Sequence, residues 1–259
     1  MGKREFTLHF EDGIATVTFN WPQRVNAMGT DFSQDFASVL DRVEARRDAR
    51  VVVLTGAGSA FCGGGDLHEI MSPDPTDMER EFELIRGYNR IARRIYQLDV
   101  PVIAAVNGPA AGGGVGIALA CDFAIASETA RYDLVFHRVG LSGADVGVPW
   151  LLNRAIGPAL ASYFILTAGS IDAATGQKLG LFAGVVAPAG LMDAAHAAAR
   201  RIAAAPEPAV RISKLALRSS LNTDLGTNLE LEAYLQSYAF RTPQHKQAVA
   251  AYRQRASRK

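Results

Sequence analysis

The stretch Ala60-Phe61-Cys62-Gly63-Gly64-Gly65-Asp66-Leu67 belongs to a glycine-rich segment that begins at Gly56, directly after an apolar run, Val51–Thr55. A second glycine-rich segment, residues 108–116, follows a second apolar run, Val102–Val106. Unbroken apolar runs of this length are typical of parallel strands that are covered on both faces. Open α/β sheets bind ligands beyond the carboxyl ends of such strands. The two segments therefore predict an α/β fold with a ligand site at two neighbouring loops.

Around these loops the sequence predicts alternating strands and helices. Two β-rich runs joined by a turn that contains glycine, Phe6–Phe10 and Ile14–Phe19, predict an N-terminal hairpin. A strand at Phe123–Ala126 and a short helix at Ile117–Ala120 follow the second glycine segment. Apolar residues at helical spacing predict two longer helices: one with the stripe Phe32, Phe36, Val39, Leu40 and Val43, and one from about Met78 to Leu98 with the stripe Phe82, Ile85, Ile91 and Ile95.

The second half of the chain differs from the first in its pattern. After Gly147 the sequence is rich in alanine and helical in character, with one short strand predicted at 185–187. Residues 226–259 predict two further helices. We therefore expect an α/β core over residues 1–190 and a helical region over residues 191–259.

Composition excludes several classes of protein. The 259 residues are 49% hydrophobic and carry a net charge of +1, which argues against disorder and against a broad nucleic-acid or anionic-membrane surface. Two cysteines, Cys62 and Cys121, form neither a disulfide framework nor a C-x-x-C pair, so we expect a reducing compartment and no metal. No apolar run predicts a secretory signal or a membrane span, and we expect a cytoplasmic protein.

Glycine loops after parallel strands have a specific chemical use. Glycine lets backbone N–H groups approach a ligand closely, and two loops side by side can aim two N–H groups at one oxygen, as an oxyanion hole does. Neither segment has the Lys-Ser/Thr that ends a phosphate loop, and Phe61 stands where the dinucleotide fingerprint needs its third glycine. The structural alternative is that both segments are only tight turns.

These motifs carry a family resemblance. The stretch Ala60–Leu67, and the run Val102–Gly108 followed by Gly112-Gly113-Gly114 and Cys121-Asp122, resemble the two signatures of the enoyl-CoA hydratase/isomerase (crotonase) superfamily. The resemblance extends over nearly the whole chain. It implies a crotonase-like spiral of ββα repeats with a helical C-terminal trimerisation region, and a homotrimer or dimer of trimers. It also implies an acyl-CoA substrate, with coenzyme A as part of the thioester and no separate cofactor.

The resemblance also assigns residues to the site. The backbone N–H groups of Gly63 and Gly113 would hold the thioester oxygen. The coenzyme A moiety would be lined by a larger set that includes the early turn of the chain: Arg24, Val25, Ala60, Gly65, Asp66 and Leu67. For Asp66 a purely structural role, as the cap of a following helix, is the alternative.

The proton-transfer groups are where this chain departs from the family. Hydratases of the family carry two glutamates, and the corresponding positions here are Gly116 and Phe136. A third acidic position, used by isomerases of the family, corresponds to Asp145. Apolar neighbours such as Val146 and Trp150 would raise the pKa of Asp145 and make it a better base. Its alternative role is that of a helix N-cap.

Other reactive residues are weighed against structural roles. His137 is a second candidate base, although a lone histidine beside an arginine is more often a surface residue. Cys62 is expected to be a small packing residue, because no histidine is placed to activate it. Dehalogenases of the family need a histidine where this chain has Asn89, which argues against that reaction.

The sequence thus predicts an enoyl-CoA hydratase/isomerase-type enzyme that shifts a double bond with one carboxylate, Asp145, while Gly63 and Gly113 stabilise the enolate. Three alternatives stay open. They are a CoA-thioester hydrolase or C–C lyase, a weak hydratase, and an acyl-CoA-binding homologue without catalysis.

Overall fold

The computed structural model describes residues 5–71 and 77–256, with side chains up to Gln254. In this part of the chain the strands are β1 (Phe6–Glu11), β2 (Ile14–Phe19), β3 (Val51–Gly56), β4 (Val102–Val106), β5 (Pro109–Ala111), β6 (Phe123–Ser127), β7 (Arg131–Asp133), β8 (Ser170–Asp172) and β9 (Gly184–Val186). The helices are α1 (Phe32–Glu44), α2 (Leu67–Ile70), α3 (Met78–Gln97), α4 (Gly113–Ala120), α5 (Val148–Ile156), α6 (Pro158–Leu166), α7 (Ala173–Lys178), α8 (Leu191–Ala203), α9 (Glu207–Ser220), α10 (Leu225–Ala239) and α11 (Pro243–Ala256).

The strands form two sheets that the chain visits alternately. The larger sheet has the order β1-β2-β3-β4-β6-β9, with β1 antiparallel to β2 and the other neighbours parallel. The smaller sheet has the order β5-β7-β8. The pairs β4–β5 and β6–β7 each give one strand to the larger sheet and the next to the smaller. This confirms the predicted α/β architecture with a repeating strand–strand unit.

Both faces of the larger sheet are buried, which explains its unbroken apolar strands. Val52 and Leu54 face the main core, which α1, α3 and α4 also enter. Val51 and Val53 face the opposite side, where Leu191, Ala195 and Ala199 of α8 complete a second cluster. A strand covered in this way buries every side chain, so its sequence shows no polar alternation.

The elements around the glycine loops agree with the sequence predictions, with three differences. The five predicted inward residues of α1 are the five that are buried. In α3, however, Phe82 is 62% exposed, and Tyr88 takes a buried position beside Ile91 and Ile95. Helix α4 begins at Gly113, not at Ile117, because the glycine segment itself forms its first turn. Three strands of the smaller sheet were not predicted, since each has only three residues.

The helical region packs onto the core through a charged cluster. Lys214 of α9 is 7% exposed; its Nζ lies 2.8 Å from Oδ2 of Asp122 and donates to the carbonyl of Val100. Arg218 contacts the other carboxylate oxygen of Asp122 at 2.8 Å. Helix α8, the first helix after the predicted boundary at residue 190, covers the larger sheet. The boundary itself stays a prediction.

The length and apolar character of the helices decide whether one of them could cross a membrane. Across residues 5–71 and 77–256, none of them combines the length and the apolar character that crossing a bilayer requires.

A buried amide holds the early turn of the chain against the first glycine loop. Asn26 is fully buried, and its backbone has a φ of 56°, a left-handed conformation that asparagine tolerates better than most residues. Its Nδ2 donates to the carbonyls of Ala57 and Ala60 at 2.9 and 2.8 Å. Its Oδ1 accepts from the backbone N–H of Trp21 at 3.1 Å. One side chain therefore satisfies three buried backbone groups.

We expect Asn26→Ala to lower the free energy of unfolding by about 2–4 kcal/mol, because it leaves the N–H of Trp21 and the carbonyl of Ala57 unpaired, while the carbonyl of Ala60 keeps only its 3.2 Å bond from Asn107. Urea unfolding followed by circular dichroism measures the change. Asn89→Ala, at an exposed position of α3, is the matched control and should change the unfolding free energy by no more than about 0.5 kcal/mol. A loss below about 1 kcal/mol for Asn26→Ala would contradict this role.

Candidate active site

The two glycine loops touch each other through their backbones. The N–H of Ala111 donates to the carbonyl of Cys62 at 2.9 Å. A Cβ on Gly64 would lie 2.5 Å from the carbonyl oxygen of Ala111, and a Cβ on Gly114 would lie 2.3 Å from that of Cys62. Such contacts are shorter than any real Cβ makes, so only glycine fits at both positions. The spacing of the glycines thus lets the loops meet.

A cavity of about 280 Å³ lies beside the meeting point of the loops. Gly63, Gly64 and Gly65 line it from one loop, and Gly112 and Gly113 from the other. Most of its remaining wall is apolar: Met28, Leu67, Ile70, Ile85, Tyr88, Val135, Phe136, Val139, Leu141 and Ala144, with Ser142. Among its lining residues, Asp145 is the single carboxylic acid. The cavity therefore combines backbone N–H groups, mostly apolar walls and one carboxylic acid.

The backbone donors differ in whether they are free. The N–H of Gly63 donates to the carbonyl of Val25 at 2.8 Å. The prediction that the N–H of Gly63 is a donor of the oxyanion hole is therefore wrong, because this N–H is already bonded within the protein. Gly65, two residues further on, lines the same cavity, and its N–H has no partner among the described residues. The same holds for the N–H of Gly113, in the first turn of α4.

The sequence could not distinguish these donors, because three consecutive glycines leave all three N–H groups as candidates. The decisive contact comes from the early turn, where Val25 has a φ of 49° and offers its carbonyl to Gly63. The next part of that turn pairs with the loop as well. Met28 donates its N–H to the carbonyl of Gly64, at 2.6 Å, and accepts from the N–H of Asp66, at 2.7 Å. This pattern leaves the N–H of Gly65 directed away from the turn.

The carboxylate of Asp145 adjoins the second donor. Its Oδ2 lies 3.0 Å from the point where a Cβ on Gly113 would be. Its Oδ1 is buried and has no hydrogen-bond partner among the described residues. Burial raises the pKa of Asp145 to about 6, against a smaller opposing effect of the Val146 backbone. The alternative role of helix cap does not apply, because Gly147 occupies the N-cap of α5 and no side chain bonds there.

A strained turn presents this carboxylate. Val146, the next residue, is fully buried with a φ of 45°, which is unfavourable for a β-branched side chain. It packs on Gly116 of α4, where a Cβ would lie 2.3 Å from the carbonyl oxygen of Val146. The position that carries a glutamate in hydratases of the resembling family is thus filled here by the backbone of the Asp145 turn.

The position of the second hydratase glutamate is also apolar. Phe136 is 5% exposed and lines the cavity. Its ring lies 3.5 Å from the point where a Cβ on Gly112 would be, and 3.7 Å from the equivalent point on Gly143. The ring therefore covers the edge of the second glycine loop with hydrocarbon.

The residues expected to contact coenzyme A lie around the first loop, but they differ in accessibility. Asp66 is 4% exposed; it pairs with Arg24 at 2.5 Å and accepts from the N–H of His68 as the cap of α2. Ala60 is buried. Leu67 and Gly65 line the cavity, and Val25 is half exposed. Their contact with a ligand stays a prediction.

None of the other candidate reactive side chains lines the cavity. His137 is exposed and does not line the cavity. Cys62 is fully buried, and burial raises the pKa of its thiol to about 12, which keeps it protonated and unreactive. Asn89 is exposed on α3. Over the described ranges, no three His, Cys, Asp or Glu side chains converge as a metal site requires.

We expect Gly116→Ala to lower the free energy of unfolding by about 1–3 kcal/mol, although alanine favours helices. The added methyl group would collide with the carbonyl of Val146 and displace the Asp145 turn. Thermal or urea unfolding measures the loss. Gly190→Ala is the control, because nothing lies within 4 Å of its Cβ position and its φ is negative. An equal or higher stability of Gly116→Ala would contradict the packing described here.

Comparisons with known proteins point to one family. A sequence profile described as enoyl-CoA hydratase/isomerase matches residues 9–258. The chain is 36% identical to the 1,2-epoxyphenylacetyl-CoA isomerase of Escherichia coli (strain K12), over 96% of this chain and 95% of the relative. It is 34% identical to the short-chain-enoyl-CoA hydratase of Clostridium acetobutylicum, over 95% and 93%.

Solved structures show the same fold. The enoyl-CoA hydratase of Bacillus anthracis superposes with a TM-score of 0.91 at 29% identity, and 96% of each chain is covered. The enoyl-CoA hydratase of Mycobacterium smegmatis gives a TM-score of 0.90 at 29% identity and the same coverage. The predicted crotonase-like fold is therefore confirmed. The two-sheet architecture, the paired glycine loops and the profile match together place this chain in the enoyl-CoA hydratase/isomerase family.

Proposed function

We propose that this protein is an acyl-CoA isomerase that shifts a carbon–carbon double bond by proton transfer through Asp145. The observation that carries the proposal is the position of that carboxylate. It borders the cavity between the two glycine loops, adjoins Gly113, and has a pKa raised to about 6 by burial. A base with a pKa near the working pH can both take and return a proton.

The proposed reaction converts a 3-enoyl thioester to a 2-enoyl thioester. The ionised Asp145 takes a proton from C2, and the electron pair spreads over the thioester carbonyl and the adjacent double bond. The N–H groups of Gly65 and Gly113 hold the resulting negative oxygen, each contributing about 3 kcal/mol of transition-state stabilisation. Asp145 then returns the proton to C4. One C–H bond is broken and one is formed, so the reaction consumes no co-reactant.

Hydration needs more than this site offers. A hydratase must activate a water molecule with one group and protonate carbon with another. The relatives' names include both an isomerase and a hydratase, so they do not decide between the two reactions. Gly116 and Phe136 favour isomerisation, because neither supplies a carboxylate and the Phe136 ring places hydrocarbon at the cavity edge, where the second acid of a hydratase would stand.

The coenzyme A moiety is proposed to lie along the first glycine loop. The half-exposed Val25, the rim residue Leu67 and the Arg24–Asp66 pair surround its entrance. Because the side chain of Asp66 is committed to Arg24 and to the α2 cap, we propose that it shapes this loop and that its backbone faces the ligand. The acyl group would then enter the apolar cavity.

The Asp145 mechanism predicts a defined pH dependence. Only the ionised carboxylate accepts a proton, so kcat/KM for 3-enoyl-CoA should fall about tenfold per pH unit below about pH 6 and level off above it. Asp145→Asn should lower kcat at least about 100-fold at pH 8. Conversion to 2-enoyl-CoA is followed by ultraviolet absorbance of the conjugated product.

The control for this variant is its stability. Because the folded-state pKa of Asp145 is raised, its buried charge is destabilising above pH 6, and an uncharged asparagine removes that cost. Asp145→Asn should therefore be at least as stable as the parent at pH 8. Unchanged turnover in a folded Asp145→Asn protein would reject the mechanism. Release of free thiol would instead indicate a hydrolase or lyase, and binding without conversion a non-catalytic homologue.

We also propose that copies of the chain associate as trimers or as dimers of trimers. Helices α9 and α10 expose large apolar side chains in the described structure, including Leu217 at 71%, Leu225 at 74% and Tyr234 at 75%. Monomeric proteins rarely leave such surfaces uncovered. Light scattering after size-exclusion chromatography should give about three or six times the chain mass of 27.7 kDa. A monomeric mass at micromolar concentration would contradict the proposal.

A further inference from the structure

A second cavity lies on the other side of the Asp145 turn. It has a volume of about 520 Å³ and runs between α3 and α5, lined mainly by Ala92, Tyr96, Pro149, Trp150 and Leu151. Ala144 and Asp145 line both this cavity, here called the α3–α5 groove, and the cavity beside the glycine loops. The two spaces are therefore neighbours that share a wall at the proposed base.

The path continues beyond the groove. A cleft of about 800 Å³ between the core and α9 shares Tyr96, Trp150 and Leu151 with the α3–α5 groove. Its wall is again mostly hydrocarbon, with Leu119, Phe123, Leu217 and Leu221 among the lining residues. Neighbouring spaces that share lining residues thus mark an apolar route from the paired glycine loops, past Asp145, into the α3–α5 groove. The cleft beyond the groove includes Leu217, which belongs to the surface proposed to associate with another copy of the chain.

We propose that this route holds the apolar tail of the substrate, so that the protein takes long or bulky acyl groups in addition to short ones. The inference rests on the proposed acyl-thioester chemistry of the same site. The cavity beside the glycine loops has roughly nine times the ~30 Å³ that one liquid water molecule occupies, so it holds the reacting carbons and a short extension. A longer chain needs further apolar space, and the groove supplies it directly beyond the carbons that Asp145 serves.

Ala144 and Asp145 form the border between the two spaces. Ala144 presents only a methyl group at the junction and is exposed. A larger apolar side chain there would obstruct this border without filling the core. On the opposite wall, the exposed Asn89 borders the groove from α3.

Trp150 offers a built-in reporter of the groove. The chain has two tryptophans. Trp21 is 1% exposed and donates its Nε1–H to the carbonyl of Ala27, so a ligand in the groove does not reach it. Trp150 is 38% exposed and lines both the groove and the cleft. A tail that enters the groove changes the emission of Trp150, whereas a tail that stays beside the glycine loops does not.

The test uses saturated acyl-CoA esters, which cannot be isomerised, so that binding is separated from catalysis. Butanoyl-, octanoyl- and dodecanoyl-CoA are titrated by calorimetry and by tryptophan emission, with free coenzyme A as reference. Each buried methylene adds about fourfold to affinity when it is fully desolvated. We expect dodecanoyl-CoA to bind at least tenfold more tightly than butanoyl-CoA and to shift the Trp150 emission, which butanoyl-CoA leaves unchanged.

Two variants that narrow the α3–α5 groove test whether the tail lies in it. Asn89→Phe, on the α3 wall, should remove most of the dodecanoyl advantage while changing the Kd of butanoyl-CoA less than twofold. Ala144→Leu, at the junction, should also remove most of that advantage; because Ala144 lines the cavity beside the glycine loops as well, its dodecanoyl affinity is compared with the butanoyl affinity of the same variant. Ala197→Leu, at an exposed position of α8 remote from the groove, is the matched control and should change neither. Circular dichroism of each variant checks the fold.

The outcomes separate this inference from the proposed function. If butanoyl- and dodecanoyl-CoA bind with equal affinity and neither changes the tryptophan emission, the tail does not use the groove and the inference is overturned. If all esters bind no better than free coenzyme A, the proposed acyl-CoA site itself fails. If the dodecanoyl advantage persists in both blocking variants, the tail follows another route and the inference is again overturned.

Discussion

Backbone contacts backbone where the two glycine loops meet, and no side-chain carbon fits between them. Gly64 lies against the carbonyl of Ala111, and Gly114 against that of Cys62. This contact brings the ends of β3 and β4 close enough for Gly65 and Gly113 to line one cavity. The side chain of Asn26, in the early turn of the chain, stabilises this arrangement because its Nδ2 donates to the carbonyls of Ala57 and Ala60. The pair of backbone N–H groups at Gly65 and Gly113 thus results from close backbone approach, which the glycines permit and the Asn26 side chain stabilises.

The carboxylate proposed to transfer the proton, that of Asp145, is positioned in a different way. Asp145 sits on a turn in which Val146 adopts a left-handed backbone, and that turn packs where Gly116 has no side chain. Strain of this kind persists when the surrounding structure determines the conformation. Burial among apolar groups then brings the pKa of the carboxyl near neutrality. Both the backbone N–H of Gly113 and the position of the Asp145 turn therefore depend on α4, through Gly113 and Gly116.

The sequence predicted most of the elements that position the site, because their signals are local. The stripe of α1 and the apolar strands β3 and β4 follow directly from periodicity. The choice of Gly65 over Gly63 did not follow, because it depends on a carbonyl of Val25, nearly forty residues earlier in the chain. The exposure of Phe82 was missed for a related reason: a helical stripe shows which residues share a face, not how far the neighbouring elements extend over it.

The charged cluster at Asp122 bears on how much of the chain is needed for an autonomous fold. A chain truncated after residue 190 would retain both glycine loops and Asp145. It would lose α8 from one face of the larger sheet, together with Lys214 and Arg218, the cations that neutralise Asp122. With α9 removed, Asp122 would lie in solvent and keep its hydrogen bond from the N–H of Val102, so the loss of the two cations costs little by itself. The loss of α8 costs more, because it exposes the apolar face of the larger sheet that includes Val51 and Val53, at about 1.5–3 kcal/mol for each large side chain left uncovered. We therefore expect residues 1–190 alone to be unstable, because the sheet that carries both glycine loops depends on α8 for the cover of its second face.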